Sequence, residues 1–390
     1  MRNFILALII SPLAFIALIE VTLHSLFFLG LFPDYPALNT RLEKYNYAPK
    51  AESVREDNVP HRLAGVSTYL QRGIPHQLIH FRNDGQRIDT FDGAAKCTIG
   101  IFGDSFSDAL QVGQFEDYSS LTEASLRAKG IDVNFMNFGL GGMGTSAQYL
   151  RYHQLLSQGY RFDHVVLQFF PGNDIINNHP VLNNHFEKGR GFPYFAIQEG
   201  RLVRNDSPTT LKKDSFLGGL RNILAEYSHL ANFTNMTLIR VSNMMAHEER
   251  FDTFKPPPNP DWKEAWEITD LVLKKWIGDV HANRSNITVL MLTSSLQLSS
   301  DIVLDPTNQP DYPNKRIGSI VAKSQATYLD MLPKAFEYIE RTNLKYPYFS
   351  WEYDGHYSQL GHRFVADALV PTLQNLLSEC SFDDVTSASK

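Results

Sequence analysis

The sequence predicts an α/β protein built on a doubly wound parallel sheet in three layers. Three observations lead there. Short apolar runs recur along the chain, as parallel strands buried on both faces require. Each run stops at a turn rich in Gly, Asn or Asp, and a stretch with helical spacing follows it. The 390 residues suffice for one large α/β domain carrying an insertion.

Taken in order, Phe4 to Phe32 is mostly apolar, with Arg2 ahead of it and Pro33 behind. A bilayer core needs about 20 helical residues, so this run is long enough to span. No small-residue cleavage site ends it. An uncleaved N-terminal membrane anchor over residues 1–33 is therefore expected, with the rest of the chain outside the cytoplasm. Glu20 lies inside this run, and a carboxylate there needs an interface or a partner. Residues 34–95 are rich in Pro, Asn, Asp and Arg, and read as a stalk and lead-in that ends in a short strand at Gln77–Phe81.

The regular alternation occupies residues 96–380. Strands are expected at Thr98–Phe102, Val133–Phe138, Val165–Phe170, Ile287–Thr293 and Ala326–Asp330. Helices are expected at Tyr118–Lys129, Ser146–Ser157, Pro333–Thr342 and Gln359–Leu377. Between the third and fourth strands, residues 175–285 form a long insertion. It holds a hairpin at Tyr194–Val203 turning at Glu199-Gly200, and helices at Leu220–Val241 and Trp262–His281. Its aromatics (Phe192, Tyr194, Phe195, Phe251, Phe254, Trp262, Trp266) suit either its own core or a cap over a site. A tail ends the chain over residues 381–390 and is expected to be disordered.

Composition excludes some functions. A net charge of -6 without a dense Lys/Arg block gives no electrostatic basis for binding nucleic acid. Cys97 and Cys380 make neither a metal cluster nor a disulfide framework, and are left as a pair or as two separate thiols. His179 and His185 lack supporting carboxylate spacing, so no metal is expected. No cofactor is expected either. Gly139-Leu140-Gly141-Gly142-Met143-Gly144 matches the dinucleotide fingerprint literally, but it follows the second strand and lacks the acidic residue that should close the next one. The elbow Gly-x-Ser-x-Gly is absent.

Chemistry gathers where the strands end. Ile99-Gly100-Ile101-Phe102-Gly103-Asp104-Ser105 places a serine at the start of a helix, beside N–H groups that stabilise a developing oxyanion. A serine nucleophile needs an imidazole base, and the base needs a carboxylate to orient it. Asp354 and His356 share one loop and qualify as that pair. Oxyanion donors would be the Ser105 N–H, a loop-glycine N–H and the Asn173 side chain. Asp104, adjacent to the serine, is read as turn support. His362 is read as a surface histidine at the start of the last helix.

Gly103-Asp104-Ser105-Phe106-Ser107, Asn137-Phe138-Gly139-Leu140-Gly141-Gly142, Gly172-Asn173-Asp174 and Asp354-Gly355-His356 with Gly361 resemble, in order, the four blocks of the SGNH (GDSL-type) hydrolases. The resemblance covers about residues 98–175 and 285–377. It implies a flavodoxin-like SGNH hydrolase fold, Ser105 as nucleophile, His356 as base and Asp354 as its orienter. It also implies an oxyanion hole of Ser105, Gly142 and Asn173, with Gly141 as the alternative to Gly142. Many members carry two residues between the Asp and the His, whereas this chain has Gly355 alone. That spacing, and the lead-in Phe81–Arg87, are similar to a branch acting on envelope polysaccharides, including membrane-tethered acetyltransferases and acetylesterases.

The expected function is thus a serine esterase acting on an O-acyl ester, in the first place O-acetyl, of an envelope glycan or related carbohydrate. An O-acetyltransferase would use the same residues with a sugar hydroxyl as acceptor. A non-catalytic glycan-binding protein on the same fold is a third reading, and the retention of Ser105, Asn173 and His356 together counts against it.

Overall fold

The computed structural model describes residues 14–26, 53–56, 59–62, 64–71, 74–82, 84–88, 91, 93–187, 193–205, 228, 230, 234, 251–299, 308–352 and 354–382. The chain divides into two compact units. One comprises residues 1–47, 70–72 and 212–248, and the other residues 48–69, 73–211 and 249–390.

Of the first unit, residues 14–26 are helical. Glu20 accepts hydrogen bonds there from the Ser228 hydroxyl at 2.9 Å and the Leu230 N–H at 3.0 Å, so its carboxylate has partners within the unit. The predicted anchor falls largely outside the described residues, as does the predicted helix Leu220–Val241. No helix among the described residues is long and apolar enough to cross a membrane.

The second unit begins with short strands where a stalk was expected. These are β1 (Ser53–Glu56), β2 (Val59–Arg62), β3 (Gly65–Gln71) and β4 (Ile74–Phe81), paired β1 with β2 and β3 with β4. β4 contains the strand expected at Gln77–Phe81, whereas β1, β2 and β3 were not expected; β1 and β2, with four residues each, are too short for an alternating pattern to show.

Each strand and helix expected in residues 96–380 and lying among the described residues then appears within two residues at each boundary, with further helices between them. β5 (Cys97–Phe102) leads into the one-turn α1 (Ser105–Asp108) and then α2 (Tyr118–Ala128). β6 (Val133–Asn137), α3 (Thr145–Ser157) and β7 (His164–Phe169) follow. After β7 come α4 (Asp174–Asn177), α5 (Pro180–Glu187) and the hairpin β8 (Tyr194–Gln198) and β9 (Arg201–Asn205). The chain continues through α6 (Pro260–Ala282), β10 (Asn286–Met291), α7 (Ser295–Leu298), α8 (Tyr312–Ala322), β11 (Thr327–Asp330), α9 (Met331–Thr342) and α10 (Gln359–Leu376).

The five central strands pair in the order β6-β5-β7-β10-β11, and every pairing is parallel. In sequence rank this is 2-1-3-4-5. The order reverses between β5 and β7, and in such sheets ligands bind beyond the strands' carboxyl ends at that reversal. One face buries Ile99, Ile101, Val133, Phe135 and Leu290 against α2 and α10, through Leu126, Val365 and Leu369. The other carries Phe102 edge-on to Tyr152, Phe162 and Trp276, with ring centroids 5.6–5.7 Å apart.

Two points left open by the sequence take shape here. Of the aromatics named above, Tyr194, Phe195, Phe254, Trp262 and Trp266 are buried, and Trp262 and Trp266 lie with Trp276 on the buried stripe of α6, which packs against α3 and β10 as the crossover helix of the sheet. Cys97 and Cys380 form a disulfide, with Cα atoms 5.7 Å apart, joining the start of β5 to the turn after α10.

Candidate active site

Ser105 stands at the end of the apolar β5 because Gly103-Asp104 turns the chain sharply there. Asp104 caps α1 by accepting the Phe106 N–H at 2.9 Å, which leaves Ser105 as the first helical residue. The turn is braced from β7, where Gln168 Oε1 accepts both the Asp104 N–H (3.0 Å) and the Ser107 hydroxyl (2.9 Å). At the end of β6, Asn137 donates to the Ser107 carbonyl (2.8 Å) and accepts the Gly139 N–H (3.0 Å). A Cβ on Gly139 would stand 2.6 Å from the Asp108 backbone nitrogen, so only glycine lets the two loops approach this closely.

His356 reaches the serine from the loop before α10. Tyr357 anchors that loop over the sheet edge: its hydroxyl donates to the Thr293 carbonyl (2.8 Å) and accepts the Thr293 N–H (3.0 Å) just beyond β10. Trp351 N–H closes the loop on the His356 carbonyl at 2.9 Å. Gly355 turns the chain at φ +85°, a backbone conformation that disfavours side chains.

The Ser105 hydroxyl then lies 2.7 Å from His356 Nε2, and the other ring nitrogen, Nδ1, is hydrogen-bonded to Asp354 Oδ1. The imidazole rests against the Phe106 ring, centroids 5.1 Å apart. Burial alone would push the Asp354 carboxyl upward. The His356 hydrogen bond and charge, with the Tyr69 hydroxyl, outweigh it and hold the group below the usual carboxylate range. Asp104 and Asp174, both fully buried, are pushed the other way, chiefly by burial.

The sequence-derived residues Ser105, Gly142, Asn173, Asp354 and His356 all border one cavity of about 490 Å³, together with Gly141, Leu110, Gln111 and Phe170. The Gly141 N–H is already donated to Asp108 Oδ2 at 3.1 Å, which favours Gly142, whose φ is +82°, as the loop-glycine donor. None of the cavity's walls comes from the described part of residues 175–285.

Sequence reasoning missed three contributors. Tyr69, on β3, borders the cavity and donates its hydroxyl hydrogen bond to Asp354 Oδ2. Arg87 is buried behind the serine. Its guanidinium donates to the Asp108 and Ala109 carbonyls at 2.9 Å and to Gly113 at 2.6 Å, and its Nε pairs with Asp117 Oδ2 at 3.1 Å. His362 is buried, not superficial. Its Nδ1 accepts the Tyr118 N–H at 3.2 Å, and burial, the largest influence, pushes its pKa down. His362 shares the apolar stripe Val365, Ala366, Leu369 and Leu373, and that spacing was its signal.

No protein-family model and no curated protein matches the sequence. Among solved structures the chain is similar to TesA, at 14% identity and a TM-score of 0.39, covering 72% of this chain and 99% of that one. It is similar to a member of the lipolytic protein G-D-S-L family from Veillonella parvula, at 14% identity and a TM-score of 0.38, covering 71% and 98%. The acetyl xylan esterase AlAXEase gives 13% identity and a TM-score of 0.41, covering 71% and 99%. This chain is thus similar to G-D-S-L lipolytic proteins and acetyl xylan esterases.

Proposed function

We propose that the chain is a serine esterase of SGNH type that hydrolyses an O-acyl ester, in the first place an O-acetyl ester, of a carbohydrate. The observation that carries this reading is the continuous chain Ser105 Oγ–His356 Nε2 and His356 Nδ1–Asp354 Oδ1, opening on one cavity at the reversal point of the sheet.

In this reaction His356 Nε2 takes the Ser105 proton as the oxygen attacks the ester carbonyl, and Asp354 keeps the imidazole in the tautomer that can accept it. The Ser105 and Gly142 N–H groups and the Asn173 side chain receive the oxyanion, each such donor worth about 3–4 kcal/mol in acyl transfer. His356 returns the proton to the leaving sugar oxygen, and water, activated by the same imidazole, releases the acyl group from Ser105. An acceptor sugar hydroxyl in place of that water would make the same residues a transferase.

The extracytoplasmic location included in this reading is supported by the Cys97–Cys380 disulfide, since such bonds persist in oxidising compartments. Membrane attachment is supported by the apolar composition of Phe4–Phe32.

The test is hydrolysis of p-nitrophenyl acetate by the full chain beside Ser105→Ala and His356→Ala. Each substitution is expected to lower kcat by about 10³-fold or more. Equal rates in all three proteins would overturn the assignment. Acetyl loss that appears only when an oligosaccharide is added would replace hydrolysis by transfer.

A further inference from the structure

We propose that Tyr69 is a positioning residue of this site, holding the Asp354 carboxylate in the orientation His356 requires. The proposal rests on the reading of Ser105, His356 and Asp354 as the reacting chain, and adds to it a residue from a strand 285 positions away in sequence.

The short Asp-Gly-His spacing creates the need. With Gly355 alone between them, Asp354 Oδ1 serves residue 356 twice, bonding the imidazole Nδ1 and accepting the His356 backbone N–H at 3.2 Å. Both of these bonds fall on one oxygen. The carboxylate is free to turn about the axis through them unless the other oxygen is also held, and Gly355 has no side chain to hold it. The Asp354 side chain is only 5% exposed, so bulk water is a poor substitute.

Tyr69 supplies that second hold. Its hydroxyl donates to Oδ2, so the two oxygens are engaged from two different elements of the fold. The Gln111 side chain, itself buried, borders the same cavity and acts on the Tyr69 hydroxyl. Burial first, and then the Asp354 hydrogen bond and charge, push the phenol's pKa up, so Tyr69 stays protonated and donating wherever an esterase would work. A phenol lacking its hydroxyl would fill the same space and leave Oδ2 without this donor.

The test is Tyr69→Phe in the full chain, read by ester hydrolysis and by the downfield proton resonance of the imidazole N–H. The resonance is identified by its loss in His356→Ala. Tyr69→Phe is expected to lower kcat about tenfold to a hundredfold with KM and the thermal midpoint unchanged, and to shift the resonance. In an Asp354→Ala background the same substitution is expected to change nothing further. A wild-type rate and an unmoved resonance would overturn the proposal, as would an equal loss with and without Asp354. If the wild-type chain cleaves no ester yet the resonance moves in Tyr69→Phe, the esterase reading falls and the positioning role stands.

Discussion

The lead-in before β5 and the crossover between β7 and β10 both lie outside the stretches that carry the motif blocks, and they behave in opposite ways. The crossover is rich in aromatics that suited either its own core or a substrate cap. Its Trp262, Trp266 and Trp276 fill the core beneath α6, and none of its described residues borders the cavity. The lead-in has little apolar pattern and looked like a spacer. It brings Tyr69 to Asp354 and drives Arg87 into the carbonyls behind the serine. Large apolar side chains gain most where water is excluded from every side, which is the core. A polar side chain can act singly, because one directed hydrogen bond or ion pair in a buried setting is strong enough to set a local geometry.

This contrast is open to attack by mutation. The largest effect is expected from Arg87→Met, which leaves Asp117 fully buried and unpaired. Burial pulls the Asp117 carboxyl upward, and the Arg87 charge is the main influence that brings it back below its ordinary value. Losing it is expected to cost about 3–5 kcal/mol in urea unfolding and to lower esterase activity as the turn after α1 loosens. Adding Asp117→Asn is expected to restore much of the stability without restoring the activity. An Arg87→Met protein as stable and active as wild type would erase the distinction between lead-in and spacer.

Trp276→Ala probes the other side. A cavity beside Phe102 is expected to cost about 3–4 kcal/mol, while the folded fraction keeps its kcat and KM. A specific change in KM would return the crossover to the site.

The smallest effect at neutral pH concerns a buried histidine of the central sheet. His164, at the start of β7, is buried with Nε2 2.8 Å from Thr288 Oγ1, and burial lowers its pKa to about 4. The unfolded chain binds this proton near pH 6.5, before the folded one does. His164 therefore carries its full stability above about pH 6.5 and loses it as pH falls towards 4, at up to about 1.4 kcal/mol per pH unit. Relative to wild type, His164→Asn is expected to gain stability over that interval, and a gap between the two proteins that stays constant with pH would contradict it.

Much of the fold was legible because buried parallel strands are apolar on both faces and announce themselves as runs. The candidate site was legible for a related reason: Ser105 and Asn173 each follow such a run directly. Tyr69 had no comparable marker, since a single hydroxyl crossing 285 positions leaves no local pattern. Helix α8 was not among the expected elements; Pro313 lies in its first turn, where Pro is favoured, and Gly318 lies where a Cβ would stand 2.9 Å from the Tyr328 ring.

The bond between Cys97 and Cys380 has a consequence for how the molecule comes apart. It closes the chain into a covalent ring that contains the whole five-stranded sheet together with Ser105, Asn173, Asp354 and His356. A single cut anywhere inside the ring, the crossover included, leaves both pieces attached. Tyr69 and Arg87 lie outside it, on an arm that one cut before β5 would leave held by noncovalent contacts alone. The candidate catalytic residues belong to the closed loop, and these two partners belong to the part that no covalent bond would then retain.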